Sequence, residues 1–509
     1  MSEVNQALHR IAKGAGIVFA GTIISMFFGF LSKVIMVRFL SRAEYGVFNL
    51  ALTILSIALM IVTMGFPYSL PREIAFYIER KPSRIGSLIS TALIIVLMTS
   101  LTATALLVLG SSHIANVFNE GKLVYAFNVI SFALPISALI NCFIAISRGF
   151  GRVREQVYFQ KLLYPLLWFL LIGIGALAKK IDFYYVFIVY LVAQAVTFFA
   201  LVIDVFKLGL FKLGSINLKL GKELIRFSLP LMLSDIAGFV MTWTDTLMLG
   251  YYKTSEVVGL YNSATPIARL IFRLSDSVAF LYTPLVSQFY VRGKINEMKR
   301  TYQILTKWIF LLTLPLFSVM FLFPEVTINF LFGAKYVSAS QALRILALGF
   351  TFYTLLGLNG WSLIVIGESD FVMVSNLVSA VFNVILNAFL IPLYGMNGAA
   401  MATAVSYFVA TVFRSFWLYK KTKIHPFTWN YVKPLVISFV LLGLIQSLHL
   451  RVSNIWNAIL ALVIFLAVYF FLVLLSKSID KEDVELLLAI ERRLGIDLGM
   501  IKKVLKRFV

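Results

Sequence analysis

The stretch Gly46-Val47-Phe48-Asn49-Leu50-Ala51 returns as Gly259-Leu260-Tyr261-Asn262-Ser263-Ala264, and both copies lie among apolar runs long enough to cross a bilayer. The same offset of 213 positions sets Phe39 on Tyr252 and Lys13 on Arg226. A second register, near 216, sets Gly151 on Gly367 at the foot of another pair of runs. Two halves on one plan predict a transporter-like architecture with its site where the repeats meet.

Composition points the same way. Hydrophobic residues make up 60% of the chain and the mean hydropathy is +0.92, against an apolar share of about 45–50% in soluble domains. Charged residues are 13%, yet the net charge is +22. In a soluble protein such an excess suggests nucleic acid. Here the positive-inside rule accounts for it, and no nucleic-acid partner is expected. The single cysteine, Cys142, excludes an intrachain disulfide.

A span needs about 20 mostly apolar residues, which gives about fourteen: 15–37, 46–66, 86–110, 123–146, 157–178, 183–206, 226–250, 258–285, 303–323, 341–366, 371–392, 397–418, 432–449 and 455–476. Basic residues crowd the loops after spans 2, 4, 6, 8 and 12, as in Arg148, Arg152 and Arg154 or Lys420, Lys421 and Lys423. The loops after odd spans are poorer, which places both termini in the cytoplasm. The expected fold class is therefore all-α and integral to the membrane. Residues 1–210 and 211–420 form two six-helix lobes, 421–476 two further spans, and 477–509 a basic amphipathic cytoplasmic tail. An even number of spans per half relates the lobes by an axis along the membrane normal.

Charges inside spans are functional candidates, because each costs about 2.5–3.5 kcal/mol at a helix centre. They are Lys33 in span 1, Asp235 and Asp245 in span 7, and Arg269, Arg273 and Asp276 in span 8. The last three are spaced i, i+4, i+7 and share a helix face. Arg273 is expected to pair with Asp276, its i+3 neighbour. Asn383, Asn387 and Thr403 form a polar set in spans 11 and 12, suited either to helix adhesion or to a small hard cation. His9, His113, His425 and His449 have no metal spacing, and no phosphate-cradling glycine loop ends in Lys-Ser/Thr. No enzyme activity and no cofactor are expected, and energy must come from an ion gradient, a partner or the substrate's own gradient.

The motif Leu40-Ser41-Arg42-Ala43-Glu44-Tyr45-Gly46-Val47-Phe48-Asn49-Leu50 resembles the loop after the first span in polysaccharide and oligosaccharidyl-lipid flippases, which share a superfamily with multidrug and toxin exporters. Asn383 to Asn387, followed by Ile391-Pro392-Leu393-Tyr394-Gly395-Met396-Asn397-Gly398-Ala399-Ala400, is similar to that family's eleventh and twelfth spans. The resemblance implies two lobes around a central cavity with alternating access. It also implies a lipid-linked oligosaccharide as substrate, its polyprenyl diphosphate held by cationic residues, with membrane lipids and glycan-assembly proteins as partners in the cell membrane. It assigns Arg269 and Lys33 to the substrate, with Arg273 and Asp276 beside them. It assigns Asp235, Asn383, Asn387 and Thr403 to a Na+ or H+ coupling site, although Asn387 stands where the family's sodium-coupled members have an acid. The alternatives are a cation-coupled drug exporter, favoured by Asp235, Asp245 and Asp276, and a membrane scaffold or glycan polymerase.

The topology has a direct test. Cysteines placed at Ser255 and Ser338 should react with an impermeant maleimide in intact cells, and one at Ser83 should not. Labelling in the reverse pattern would invert the assignment.

Overall fold

The computed structural model describes residues 3–207, 209, 214–448, 452, 454–478 and 480, without the side chains of residues 3–19 and of several positions in 230–237 and 277–284. The amphipathic tail expected over 477–509 falls almost entirely outside these residues. Among the described residues there is no strand. The helices are α1 (Glu3–Phe39), α2 (Arg42–Thr63), α3 (Phe66–Arg80), α4 (Ile85–Leu109), α5 (Ser111–Val117), α6 (Lys122–Ile130), α7 (Ala133–Gly149), α8 (Tyr164–Leu177), α9 (Phe183–Lys207), α10 (Leu218–Tyr252), α11 (Ser255–Val291), α12 (Ile295–Leu322), α13 (Pro324–Phe332), α14 (Ser340–Leu355), α15 (Asn359–Val365), α16 (Ser369–Thr422), α17 (Trp429–Ser447) and α18 (Ile455–Leu475). They pack as two compact units, Met1–Asn262 and Ser263–Val509. Ten of the described helical segments are long and apolar enough to span a bilayer, or eleven if α6 and α7, bent by 41°, count as one broken span.

Why these sequences lie in lipid is visible on α9. Ile188, Val192, Val196, Phe199 and Ile203, three or four residues apart, are exposed, whereas Ala193, Thr197, Leu201 and Val205 on the other face are buried. A soluble protein would not present such a stripe to water. A helix satisfies its own backbone and can present it to hydrocarbon.

The first unit is held by a close crossing of the two repeat copies. Ser41 caps α2 in a capping box with Glu44, which fixes where the helix starts. Four residues on, a Cβ at Gly46 would lie 1.7 Å from the Ser255 carbonyl oxygen, and a Cβ at Gly259 would lie 2.0 Å from that of Arg42. Ser255 is the repeat counterpart of Arg42, so the contact is reciprocal, as across a local two-fold axis. Asn49 donates to the Tyr45 carbonyl (2.7 Å) and Asn262 to that of Val258 (3.0 Å), equivalent bonds in the two copies. Arg42–Glu256 (2.8 Å) and Lys122–Glu44 (2.9 Å) pair around the crossing. Ser255 is buried here with its hydroxyl on Glu120, so Ser338, which is exposed, is the more informative of the two positions for labelling.

The second register also has a backbone meaning. Gly151 (φ 76°) and Gly367 (φ 85°) follow α7 and α15 in the left-handed region. In each, the glycine N–H reaches the carbonyl three residues back and the next N–H reaches five back: Gly151 to Arg148 and Arg152 to Ser147, Gly367 to Ile364 and Glu368 to Leu363. Both are glycine-closed helix C-caps, which explains why glycine recurs.

In the second unit, α16 is two antiparallel helices hinged at Gly395 (φ 55°, ψ −131°). A ladder across the hinge shows the fold-back: Asn383 donates to Thr403 (3.4 Å), Arg414 to Ser375 (2.7 Å), and Trp417 (2.9 Å) and Lys421 (2.7 Å) to Glu368. The hydrogen bonds from Lys421 and Trp417 hold the Glu368 carboxyl below its ordinary range. The halves correspond to expected spans 11 and 12. Past α18, Asp480 reaches back to Lys307 on α12 (2.5 Å), Arg300 (3.0 Å) and Asn430 (2.9 Å). Lys307 is only 3% exposed, so Asp480 neutralises a buried ammonium.

Two outcomes follow. Gly46→Ala and Gly259→Ala should each force the helices apart at a cost of about 3 kcal/mol or more, because backbone rather than a flexible side chain must yield. Gly173→Ala, which meets nothing within 4 Å, should be neutral. Thermal unfolding in detergent distinguishes them, and an unchanged melting temperature for both crossing variants would contradict the contact. Burial raises the Asp480 pKa, but hydrogen bonds from Lys307, Asn430 and Arg300 outweigh it and hold the group at about 2, below its ordinary 3.8. A depressed carboxyl pKa stabilises the fold above the unfolded value, and that stability fades as pH falls from 3.8 toward about 2. Asp480→Ala should remove this part of the acid sensitivity, and at neutral pH should cost about 3–5 kcal/mol by leaving Lys307 unneutralised.

Candidate functional site

The face of α11 expected to carry charge does so. Arg269 is half-buried. One turn on, Arg273 lies 3.8 Å from Asp276, the i+3 pairing expected from spacing, with both side chains partly exposed. Aromatic rings back this face: Phe272 lies 4.8 Å from Tyr353 and 5.8 Å from Tyr407, centroid to centroid. Arg269, Arg273 and Asp276 thus lie together on one face of a membrane helix, and Asp276 engages Arg273 there. Lys33 is half-buried on α1, in the first unit.

The polar set in α16 is brought together. Asn383 and Asn387 are fully buried, Thr403 nearly so, and Asn387 donates to Asn383 (3.0 Å), which donates to Thr403 (3.4 Å). The Asn383–Thr403 bond ties the two halves of the hairpin, and Asn387 joins it from the turn beyond. Asp235 sits on α10 in the first unit, and its side chain is among those not described. Asp245 accepts a hydrogen bond from Tyr261 in a buried setting. Among the described residues no group of three His, Cys, Asp or Glu has metal-holding geometry.

Sequence reading passed over a cavity of about 560 Å³ inside the first unit. It is bounded by α2, α3, α7 and α10 and by a π-helical turn at Gln156–Leu163. The π turn ends against Pro165, whose missing N–H and bulky ring disfavour ordinary helix just upstream. Gln160 on this turn donates to Asn141 of α7 (3.2 Å), and Gln156 approaches Gln160 (3.5 Å). Ser56, Thr63, Tyr68, Arg148 and Thr242 complete the polar lining. The available signal was the sequence Gln156 to Pro165: two glutamines one turn apart in a presumed span, followed by a helix-breaking proline. Buried charges elsewhere were also missed, but they are spoken for, Lys307 by Asp480 and Arg414 by Ser375 and Asn376.

A multi-pass helical membrane protein with intramembrane arginines and a polar cavity is a transporter architecture, and the comparisons give its class. The profile of the polysaccharide biosynthesis protein family matches residues 11–289, and the chain belongs to that family. The MatE profile matches residues 230–389. An uncharacterized membrane protein of Methanocaldococcus jannaschii is 29% identical over 253 residues, 50% of this chain and 49% of that protein. A protein named "probable low-salt glycan biosynthesis flippase" from Haloferax volcanii is 29% identical over 234 residues, 45% of this chain and 49% of that protein. The matches thus span about half the length of these relatives. The structure superimposes on a lipid II flippase in an inward closed conformation with a TM-score of 0.74 at 16% identity, covering 94% of this chain and 100% of that one. At that identity the likeness is one of fold.

Proposed function

We propose that the protein is a flippase that moves a lipid-linked oligosaccharide, a sugar unit on a polyprenyl diphosphate, from the cytoplasmic to the outer leaflet of the cell membrane, and is not an enzyme. The observation that carries this reading is the α11 face: two arginines against one aspartate on a membrane helix, with Arg273 the one Asp276 engages. A lipid-linked diphosphate brings negative charge, and guanidinium holds phosphate oxygens through paired hydrogen bonds. Family membership and the names of relatives point the same way. Both termini cytoplasmic, a gradient of Na+ or H+ as energy source, and glycan-assembly enzymes as neighbours belong to the same reading. Lys33 on α1 is kept as a further candidate contact for the substrate. The MatE match over 230–389 favours a second reading, a cation-coupled multidrug exporter. Two arginines on one membrane-helix face suit an anionic headgroup better than an organic cation, and that reading ranks second.

Replacing Arg269 with Ala should nearly abolish flipping, since losing one partner of a desolvated charge contact costs about 2–5 kcal/mol, or roughly thirtyfold or more. Arg269→Lys should keep part of the activity, and Arg273→Ala should mainly lower protein level. The measurement is lipid-linked oligosaccharide accumulating on the cytoplasmic leaflet of cells with matched expression. Normal translocation by Arg269→Ala, or by that variant combined with Lys33→Ala, would overturn the substrate assignment. In the same assay Asp235→Asn should remove any dependence on Na+ or H+, and unchanged dependence would take Asp235 out of the coupling.

A further inference from the structure

The cavity of the first unit contains a cation that the fold does not require. Arg148 occupies the last turn of α7, exposed into the cavity. The nearest carboxylate along the chain, Glu155, is held by Arg152 at 2.6 Å, and Glu73 on α3 by Arg72 at 2.8 Å. The guanidinium therefore faces the cavity with these acids already neutralised.

The internal repeat provides a control. Arg148 and Ile364 accept the same capping bond, from Gly151 and Gly367 respectively, in matching C-caps. The same turn closes with an isoleucine in the other copy, so the backbone does not demand arginine here. Around Arg148 stand groups of another kind. The Asn141 and Gln160 amides are joined at 3.2 Å, with Gln156 beside them and the hydroxyls of Thr63 and Tyr68 across the space. Carboxamides and hydroxyls both donate and accept, which suits sugar hydroxyls, and a tyrosine ring can cover a pyranose face. A guanidinium suits phosphate. The volume of about 560 Å³ lies within the ordinary range of small-ligand pockets.

We propose that this cavity, with Arg148 on the phosphate and Asn141, Gln156 and Gln160 on the sugar, is a binding subsite for the glycosyl-phosphate headgroup of the substrate. The proposal rests on the flippase reading for the identity of its natural ligand. By the loop charges, Arg148 lies at the cytoplasmic end of its span, the side from which such a headgroup is loaded. The π turn has a specific part: it widens the helix beside α7 and carries Gln156 and Gln160, and such turns recur at functional sites.

The test uses the purified full chain in nanodiscs and ligand-observed NMR, with N-acetylglucosamine 1-phosphate, inorganic pyrophosphate and free N-acetylglucosamine as probes. The sugar phosphate should bind more tightly than pyrophosphate, and the free sugar should bind weakest. Arg148→Ala should weaken both anions by roughly thirtyfold or more, and Arg148→Lys should recover part. Gln160→Leu should reduce sugar-phosphate binding to the level of pyrophosphate and leave pyrophosphate unchanged. Ile364→Ala, at the repeat-equivalent position, should change nothing. Thermal unfolding of each variant confirms that it is folded. Sugar-phosphate binding unchanged in Arg148→Ala, or absent from the native protein, would overturn the subsite. Arg148-dependent binding in a protein that flips no lipid-linked sugar would leave the subsite standing and remove the flippase reading. Native flipping by Arg148→Ala with no probe bound would do the reverse.

Discussion

Two helix starts meet at backbone contact, and much of the first unit is arranged around that meeting. At Gly46 and Gly259 the approach leaves no room for a methyl group. In lipid, apolar side chains gain nothing by leaving a solvent as apolar as themselves, so association rests on close packing and on polar contacts. Small residues supply the first, and Arg42–Glu256, Lys122–Glu44 and the bond from the Tyr45 hydroxyl to the Asn262 carbonyl supply the second. From this fixed point α2 runs inward to pack on α6, α7 and α10. The same α2 that makes this crossing also contributes a wall of the Arg148 cavity, beside α7 and α10.

The basic residues divide into two populations that a count of charges cannot separate. Lys307 and Arg414 lie in membrane helices and are nearly buried, yet each is used to tie elements together, Lys307 by Asp480 and Arg414 by the Ser375 hydroxyl and Asn376 amide across the α16 hairpin. Arg148 instead remains exposed, among the polar side chains that line the cavity of the first unit. Charge that is buried and matched serves stability. Charge that stays accessible beside polar side chains is available to a ligand.

Much of the fold was legible because the bilayer simplifies the code. Long apolar runs marked the helices, and two glycine pairs marked the repeat for physical reasons: one pair permits a backbone crossing, the other a left-handed cap. The Arg273–Asp276 pair followed from i, i+3 spacing alone. What was not legible depended on groups distant in sequence. Nothing local to Asp480 announces Lys307, 173 residues earlier. The Asn383–Asn387–Thr403 set was visible as residues, but whether the amides would face a cation or one another depended on how sharply the chain folds at Gly395. The cavity was hidden for a related reason. Arg148 looked like one more member of a basic loop, and the feature that sets it apart is the empty space before it.

The repeat also separates what the fold needs from what function adds. Positions that are alike in both copies, such as Gly46 and Gly259, Asn49 and Asn262, or Gly151 and Gly367, all have backbone duties. Positions that differ between otherwise matched turns are released from those duties. Arg148 against Ile364 is one such difference, and the glutamine-bearing π turn follows the first of these caps, where after the second Glu368 leads directly into α16. At the offset that sets Gly151 on Gly367, Arg148, Asn141 and Gln156 fall on Ile364, Gly357 and Val372, while Gln160 falls on Asn376, which is tied to Arg414; the two halves differ most around the cavity of the first unit. The shared positions keep the packing of both halves, so the differing ones were free to change without cost to the fold.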